Sequence, residues 1–200
     1  MSAVDFISVI WVYTVAMNPA NDLTELHRRI KNCKRCDLSK SRKNAVPGEG
    51  PISAQLMFVG EAPGAKEDEI GRPFVGRSGI LLTELLTEAG IERNEVFITS
   101  VLKSRPPNNR RPTSEEVKAC LPYLMKQIEI ISPKIIVLLG SVAVHSLIGP
   151  WKLREAHGKL HMSSDGLQFF VTYHPAACLR YPKYRETMLK DLKQLKSKLS

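Results

Sequence analysis

The chain's most concentrated chemistry lies between Gly60 and Gly79, in GEAPGAKEDEIGRPFVGRSG, where five glycines interleave with Glu61, Glu67, Asp68 and Phe74. Glycine lets a backbone approach a flat ligand closely. Glu61 sets an acid at the end of the preceding apolar run, and Phe74 sets a ring among the glycines. The segment is not a dinucleotide fingerprint, since G-x-G-x-x-G is absent, nor a Walker A loop, since no G-K-[ST] closes it. Glycine and proline can also do no more than shape a long crossover, but the acids and the ring among them favour a ligand site.

Three further groups carry chemistry. Cys33 and Cys36 form a C-x-x-C, well spaced for one metal centre and too close for a long loop-closing disulfide. With Cys120 and Cys178 they make four cysteines, which is no disulfide framework in 200 residues and points to a reducing, intracellular (cytoplasmic) compartment. His174 ends the apolar run QFFVTY and precedes Pro175; His27, His145, His157 and His161 lack such context and read as surface or core residues. Arg105, Arg110 and Arg111 sit in the proline-rich SRPPNNRR, where they could contact phosphates. Ser78 and Ser141 are candidate nucleophiles for an esterase, but neither lies in a G-x-S-x-G elbow.

The elements that must position these residues follow from pattern. Helices are predicted over 18–32, over ILLTELLTEAG, over EEVKACLPYLMKQIEII (capped by Thr113 or Ser114 and kinked or split by Pro122), over SVAVHSLIG, and in the basic C-terminal MLKDLKQLKSKL, read as a solvated lid. AQLMFVG, EVFITSVLK, PKIIVLLG and QFFVTY read as strands. Aliphatic strands alternating with helices predict an α/β, three-layer sandwich with a central, mostly parallel four-stranded sheet. Ligands then gather beyond the carboxyl ends of the strands, where the unusual loops fall.

Twenty-nine Lys and Arg against 20 Asp and Glu give a net charge of +9, which favours nucleic acid as partner, with an anionic membrane surface second. A 43% hydrophobic, 24% charged chain fits a single folded domain over 18–200. Residues 1–17 are an apolar extension with no basic lead and too few residues to span a bilayer; an upstream start codon or an extra element covering an edge accounts for them. A monomer with no membrane partner is expected.

GEAPGAKEDEIGRPFVGRSGILL, the upstream C-x-x-C, the strand–RPPNNR loop and TYHPAA together resemble the family-four, iron–sulfur uracil-DNA glycosylases, over nearly everything from Cys33 to Arg180. The resemblance implies the uracil-DNA glycosylase fold and hydrolysis of the N-glycosidic bond of uracil in single- or double-stranded DNA, as a step of DNA repair. The target base must leave the stack to be read. By position, Glu61 and Ala62 would line the pocket floor and offer backbone donors, Phe74 would stack on the base, and Glu67 would help exclude the thymine methyl. His174 would hydrogen-bond the uracil O2, and Glu61 is the candidate to position water. Arg105 and Arg110 would contact DNA; Cys178 or Leu179 would wedge into it, with Tyr173 beside the backbone.

The resemblance also implies a 4Fe–4S cluster on Cys33, Cys36, Cys120 and a fourth cysteine, and an Asn reading the uracil edge. This chain has Ser104 and Ser100 at those positions. A hydroxyl is harder and less acidic than a thiol, so a labile cluster, a three-iron form, an empty site or a zinc site is expected. Ser100 predicts slower, less selective excision. The alternative is a catalytically weak paralogue that binds damaged or single-stranded DNA without excision.

Overall fold

Runs of aliphatic residues with no polar alternation build the sheet. The computed structural model describes residues 19–199; the apolar extension at 1–17 lies outside them. In chain order the elements are α1 (Pro19–Lys31), α2 (Leu38–Ser41), β1 (Leu56–Gly60), α3 (Ala65–Ile70), α4 (Arg77–Glu88), β2 (Phe97–Ser100), α5 (Ser114–Ile131), β3 (Ile135–Leu139), α6 (Ser141–Leu147), α7 (Leu153–Ala156), β4 (Leu160–Met162), β5 (Gln168–Thr172), α8 (Pro175–Arg180) and α9 (Lys183–Ser197). The strand order is β2-β1-β3-β5-β4, with all pairs parallel except β4 against β5.

The pleat divides each buried strand between two cores. Met57, Val59, Ile136, Leu138, Phe169 and Val171 pack with Leu26 and Ile30 of α1 and Leu124 and Ile128 of α5. Leu56, Phe58, Ile135, Val137 and Phe170 pack on the other face with Leu82, Leu85 and Leu86 of α4 and Met188, Leu192 and Leu195 of α9. Helices on both faces make the three layers, and the C-terminal helix is one wall of the core rather than a lid.

Three sequence expectations change. Among the described residues the sheet has five strands, not four: β4 is three residues long and exposed at both ends, too short for a periodic signal. The glycine-punctuated loop contains α3. And α5 is not split at its start: it is one 18-residue helix with Pro122 inside it. Its start is fixed by a reciprocal cap, Thr113 Oγ1 accepting from Glu116 N–H at 3.2 Å and Glu116 Oε2 accepting from Thr113 N–H at 2.8 Å. Packing of Leu124, Ile128 and Ile131 outweighs the one backbone bond the proline cannot donate.

Candidate active site

The carboxyl ends of β1, β2 and β5 open on a cavity of about 570 Å³. Glu61 and Ala62 enter it from the end of β1, Ser100 from the end of β2 and His174 from just beyond β5, while Phe74 closes it from the glycine-rich loop. Arg110, Arg111, Arg180 and Tyr181 line it as well. The Phe74 and His174 rings stand 5.7 Å apart between centroids, tilted by 33°.

Phe74 is held by backbone and by Glu67. Its φ is +50°, an uncommon conformation for a bulky residue. Glu67 Oε1 accepts from Val75 N–H at 2.9 Å and Gly76 N–H at 2.8 Å, and Oε2 accepts from Gly64 N–H at 3.1 Å. Buried and bonded to three amides, this carboxylate shapes the loop around Phe74 and also lines the cavity. The ring lies against Gly60, where a Cβ would stand 2.6 Å from Phe74 Cζ. Asp68 similarly ties down the Lys43–Asn44 turn, accepting from Lys43 N–H at 2.9 Å.

His174 caps α8. Its Nδ1 accepts from Ala176 N–H at 3.1 Å, which leaves the proton of the neutral ring on Nε2. Burial pulls its pKa down to about 4, with the Glu67 carboxylate only partly opposing. The imidazole is therefore a neutral donor with a fixed tautomer. It packs over Gly140, where a Cβ would come within 2.9 Å of its own Cβ. Burial raises the Glu61 carboxyl above its ordinary range, and the Arg111 charge pulls the other way.

The expected DNA contacts separate. Leu179 is 44% exposed, whereas Cys178 is buried, its thiol 3.7 Å from His174 O and 3.8 Å from Met188 Sδ. Burial pushes that thiol up to about 11, so Cys178 is a core residue and not a wedge. Tyr173 is buried too, stacked on Tyr184, and does not face outward beside Leu179. Arg105 is engaged with Asn109, and Arg110 forms a paired bridge to Glu116. Ser78 lines the cavity but has no hydrogen bond to His174 among the described residues, and Ser141 does not line it.

Residues 47–196 match the uracil DNA glycosylase superfamily. The chain belongs to that superfamily. It is 51% identical over 179 residues to a type-4 uracil-DNA glycosylase of Pyrobaculum aerophilum, covering 86% of this chain and 91% of the relative. It is 45% identical over 173 residues to one of Thermotoga maritima, covering 84% and 90%. It is 44% identical over 181 residues to one of Archaeoglobus fulgidus, covering 86% and 91%.

Against that family background the sulfur site stands out. Cys33, Cys36, Cys120 and Ser104 line one small crevice together with Arg42. Arg42 donates to Ser104 Oγ at 2.8 Å through Nη1, and through Nη2 to Lys31 O at 3.0 Å and Cys33 O at 2.8 Å. Cys120 Sγ accepts from Lys103 N–H at 3.2 Å. The donor set is three thiols and a hydroxyl already engaged by a guanidinium, which does not fit a four-thiolate cluster. Among the described residues, no group of three or more Cys, His, Asp or Glu is arranged to hold a metal ion. Arg42 itself fastens the cysteine turn to the segment after β2. Arg42→Ala should lower stability by about 2 kcal/mol, the scale of hydrogen bonds to a charged donor, and the melting temperature by roughly 4–8 °C in a chain this long. A melting curve unchanged within a degree would refute that role.

Sequence reading missed the support under Ser100. Lys103, 2% exposed, donates to Thr99 Oγ1 at 2.6 Å, Ser100 O at 2.7 Å and Gln127 Oε1 at 2.7 Å. Gln127 in turn donates to Pro47 O at 2.8 Å. The available signal was a lone charge closing the apolar run VFITSVLK.

Proposed function

We propose that the cavity receives a uracil extruded from DNA and that the chain hydrolyses its N-glycosidic bond. The observation that carries this reading is the convergence of the Phe74 ring and a neutral, Nε2-protonated His174 on one cavity at the strand ends. Membership of the superfamily and the names of the type-4 relatives support it.

The chemistry follows from the parts. An extruded base stacks on Phe74, offsetting the few kcal/mol spent on unstacking it. Cleavage leaves an electron-poor sugar, as in glycoside hydrolysis, and puts negative charge on the departing uracil. His174 Nε2–H, aimed at O2, stabilises that charge as it develops. Glu61, at the β1 end, is placed to orient the attacking water, and its ionised form supports the cationic sugar. Arg111 and Arg180 at the cavity suit DNA phosphates, and Leu179 fills the space left by the extruded nucleotide. The cluster site contributes no step, and with three thiols plus Ser104 a 4Fe–4S group is not held in the four-thiolate manner.

Ser100 sets the limit on rate. An Asn amide both donates and accepts across the O4 and N3–H edge, whereas one hydroxyl serves that edge less well. Ser100→Asn should raise excision about tenfold, within the ~1–3 kcal/mol cost of an imperfectly paired polar edge. The measurement is alkali cleavage of uracil-containing single-stranded DNA after incubation. Product from the wild-type chain supports the glycosylase reading, and DNA bound but uncleaved favours the paralogue that binds without excision. Unchanged or slower excision by Ser100→Asn would sink the account of Ser100.

No helix among the described residues is long and apolar enough to cross a membrane.

A further inference from the structure

A second groove of about 440 Å³ is lined by Leu153, Arg154, Tyr173, Lys183, Tyr184 and Thr187. Its lining carries two cations and no carboxylate. Neither Arg154 nor Lys183 has an ion-pair partner among the described residues, whereas Arg72, Arg93, Arg110 and Arg185 each have one. A row of tyrosines links this groove to the cavity. Tyr181 lines the cavity and is 51% exposed. It meets Tyr184 edge-on at 5.8 Å between centroids. Tyr184 in turn stacks on buried Tyr173 at 4.3 Å and 17°. Lys183 Nζ covers the Tyr184 ring at 5.2 Å, so Tyr184 is occupied on both sides and Tyr181 is the ring with surface to offer.

We propose that this groove is a second nucleotide site, taking the single-stranded DNA next to the extruded uridine, with the neighbouring base stacked on Tyr181 and phosphates against Arg154 and Lys183. The proposal rests on the uracil reading of the cavity. Stacking on an aromatic ring tolerates any base, and a groove of unpaired cations follows the backbone whatever the sequence. Bracing by Tyr184 fixes the Tyr181 ring beforehand, so little side-chain freedom is lost on binding. In a duplex the neighbouring base keeps its own stacking partners, so the site favours a single strand.

The test is fluorescence anisotropy of the full chain with three single-stranded oligonucleotides carrying 2′-fluoro-deoxyuridine, whose electron-poor sugar resists hydrolysis. One has the uracil central, and the others have it at either end. Tyr181→Ala should weaken binding about tenfold for the central-uracil strand and for one end-uracil strand, leaving the other unchanged. Tyr181→Phe should bind as wild type. Arg154→Ala combined with Lys183→Ala should reduce the slope of log affinity against log salt by roughly 1.4, at about 0.7 for each phosphate no longer neutralised. Equal loss on both end-uracil strands, no loss on any, or an unchanged salt slope would overturn the groove. A wild-type chain that excises uracil while these variants bind normally refutes the groove alone. A wild-type chain that neither binds nor excises removes the uracil reading beneath it.

Discussion

His174→Ala is expected to lower kcat for uracil excision by about 10²–10³-fold, the usual loss when one preorganised donor to a developing oxyanion is removed, with KM little changed. The donor acts on charge that exists only as the bond breaks, so its loss falls on the chemical step. His174→Gln should recover part of the rate, because an amide N–H can reach the same region without the fixed tautomer. The pH profile gives an independent check. With a folded pKa near 4, His174 keeps one charge state from pH 8 down to about 5, so the excision rate should show no break at the ordinary histidine value. Stability should show the reverse pattern. The unfolded ring takes up a proton from about pH 6.5 downward while the folded ring resists until about 4, so the unfolded state binds more protons and stability falls across that window. His27, also held at about 4, by burial and by the Lys103 charge, adds to the same loss. The melting temperature should therefore drop between pH 6.5 and 4, less steeply in His174→Gln. Lys103, drawn down to about 7 by burial beneath Ser100, titrates in the same range. The role is therefore rejected by a rate break near 6.5 that His174→Gln removes, or by a His174→Ala variant with full activity.

Much of the site was legible because sheet topology does the positioning. Glu61 and His174 each follow an apolar run, and in a parallel sheet such ends converge whatever the loops do. Ser100 lay inside the predicted strand EVFITSVLK and was singled out only by the family resemblance; β2 in fact ends there. Phe74 was legible as a ring among glycines, a combination with little use on a plain crossover. What the sequence hid depends on orientation or on distance along the chain. Cys178 and Leu179 are adjacent, and only the register of α8, which buries Pro175 and Cys178, decides which faces out. Glu67 does line the cavity, but its bonds to the amides of Gly64, Val75 and Gly76 carry no side-chain signature. Arg42 reaches Ser104 across 62 positions of sequence, and no local pattern announces that pair. β4 and α3 are too short for a periodic pattern to mark them.

The polar support beneath the pocket gives the two serines a common setting. Ser100 and Ser104 bracket Lys103, whose ammonium holds the Ser100 carbonyl and whose amide donates to Cys120 Sγ. Arg42 holds the far end of the same segment through Ser104. Protein hydrogen bonds thus span the stretch that joins the Ser100 end of the cavity to the cysteine turn.

Gly79→Ala should do more damage than any other single-methyl change in the site. A Cβ at Gly79 would stand 2.0 Å from both the C and O atoms of Phe74 and 2.6 Å from its Cα. Those are backbone atoms, pinned from the other side by the Glu67 hydrogen bonds to Val75 and Gly76, so no flexible side chain can give way. Alanine is otherwise the better helix former by about 1 kcal/mol at a position inside α4, so any net loss measures the clash itself. The overpacking should cost about 3 kcal/mol or more. Displacing Phe74 by the order of 1 Å should lower excision by about 10²-fold through misplacement of the base. Gly90→Ala is the control: its φ is +73°, yet nothing lies within 4 Å of the added carbon, so it should lose only the modest stability tied to its conformation and keep full excision. Far-UV circular dichroism separates a folded chain with a closed pocket from an unfolded one. If Gly79→Ala melts with the wild type and excises at the same rate, Phe74 is not held where this geometry puts it, and the stacking wall of the cavity loses its physical basis.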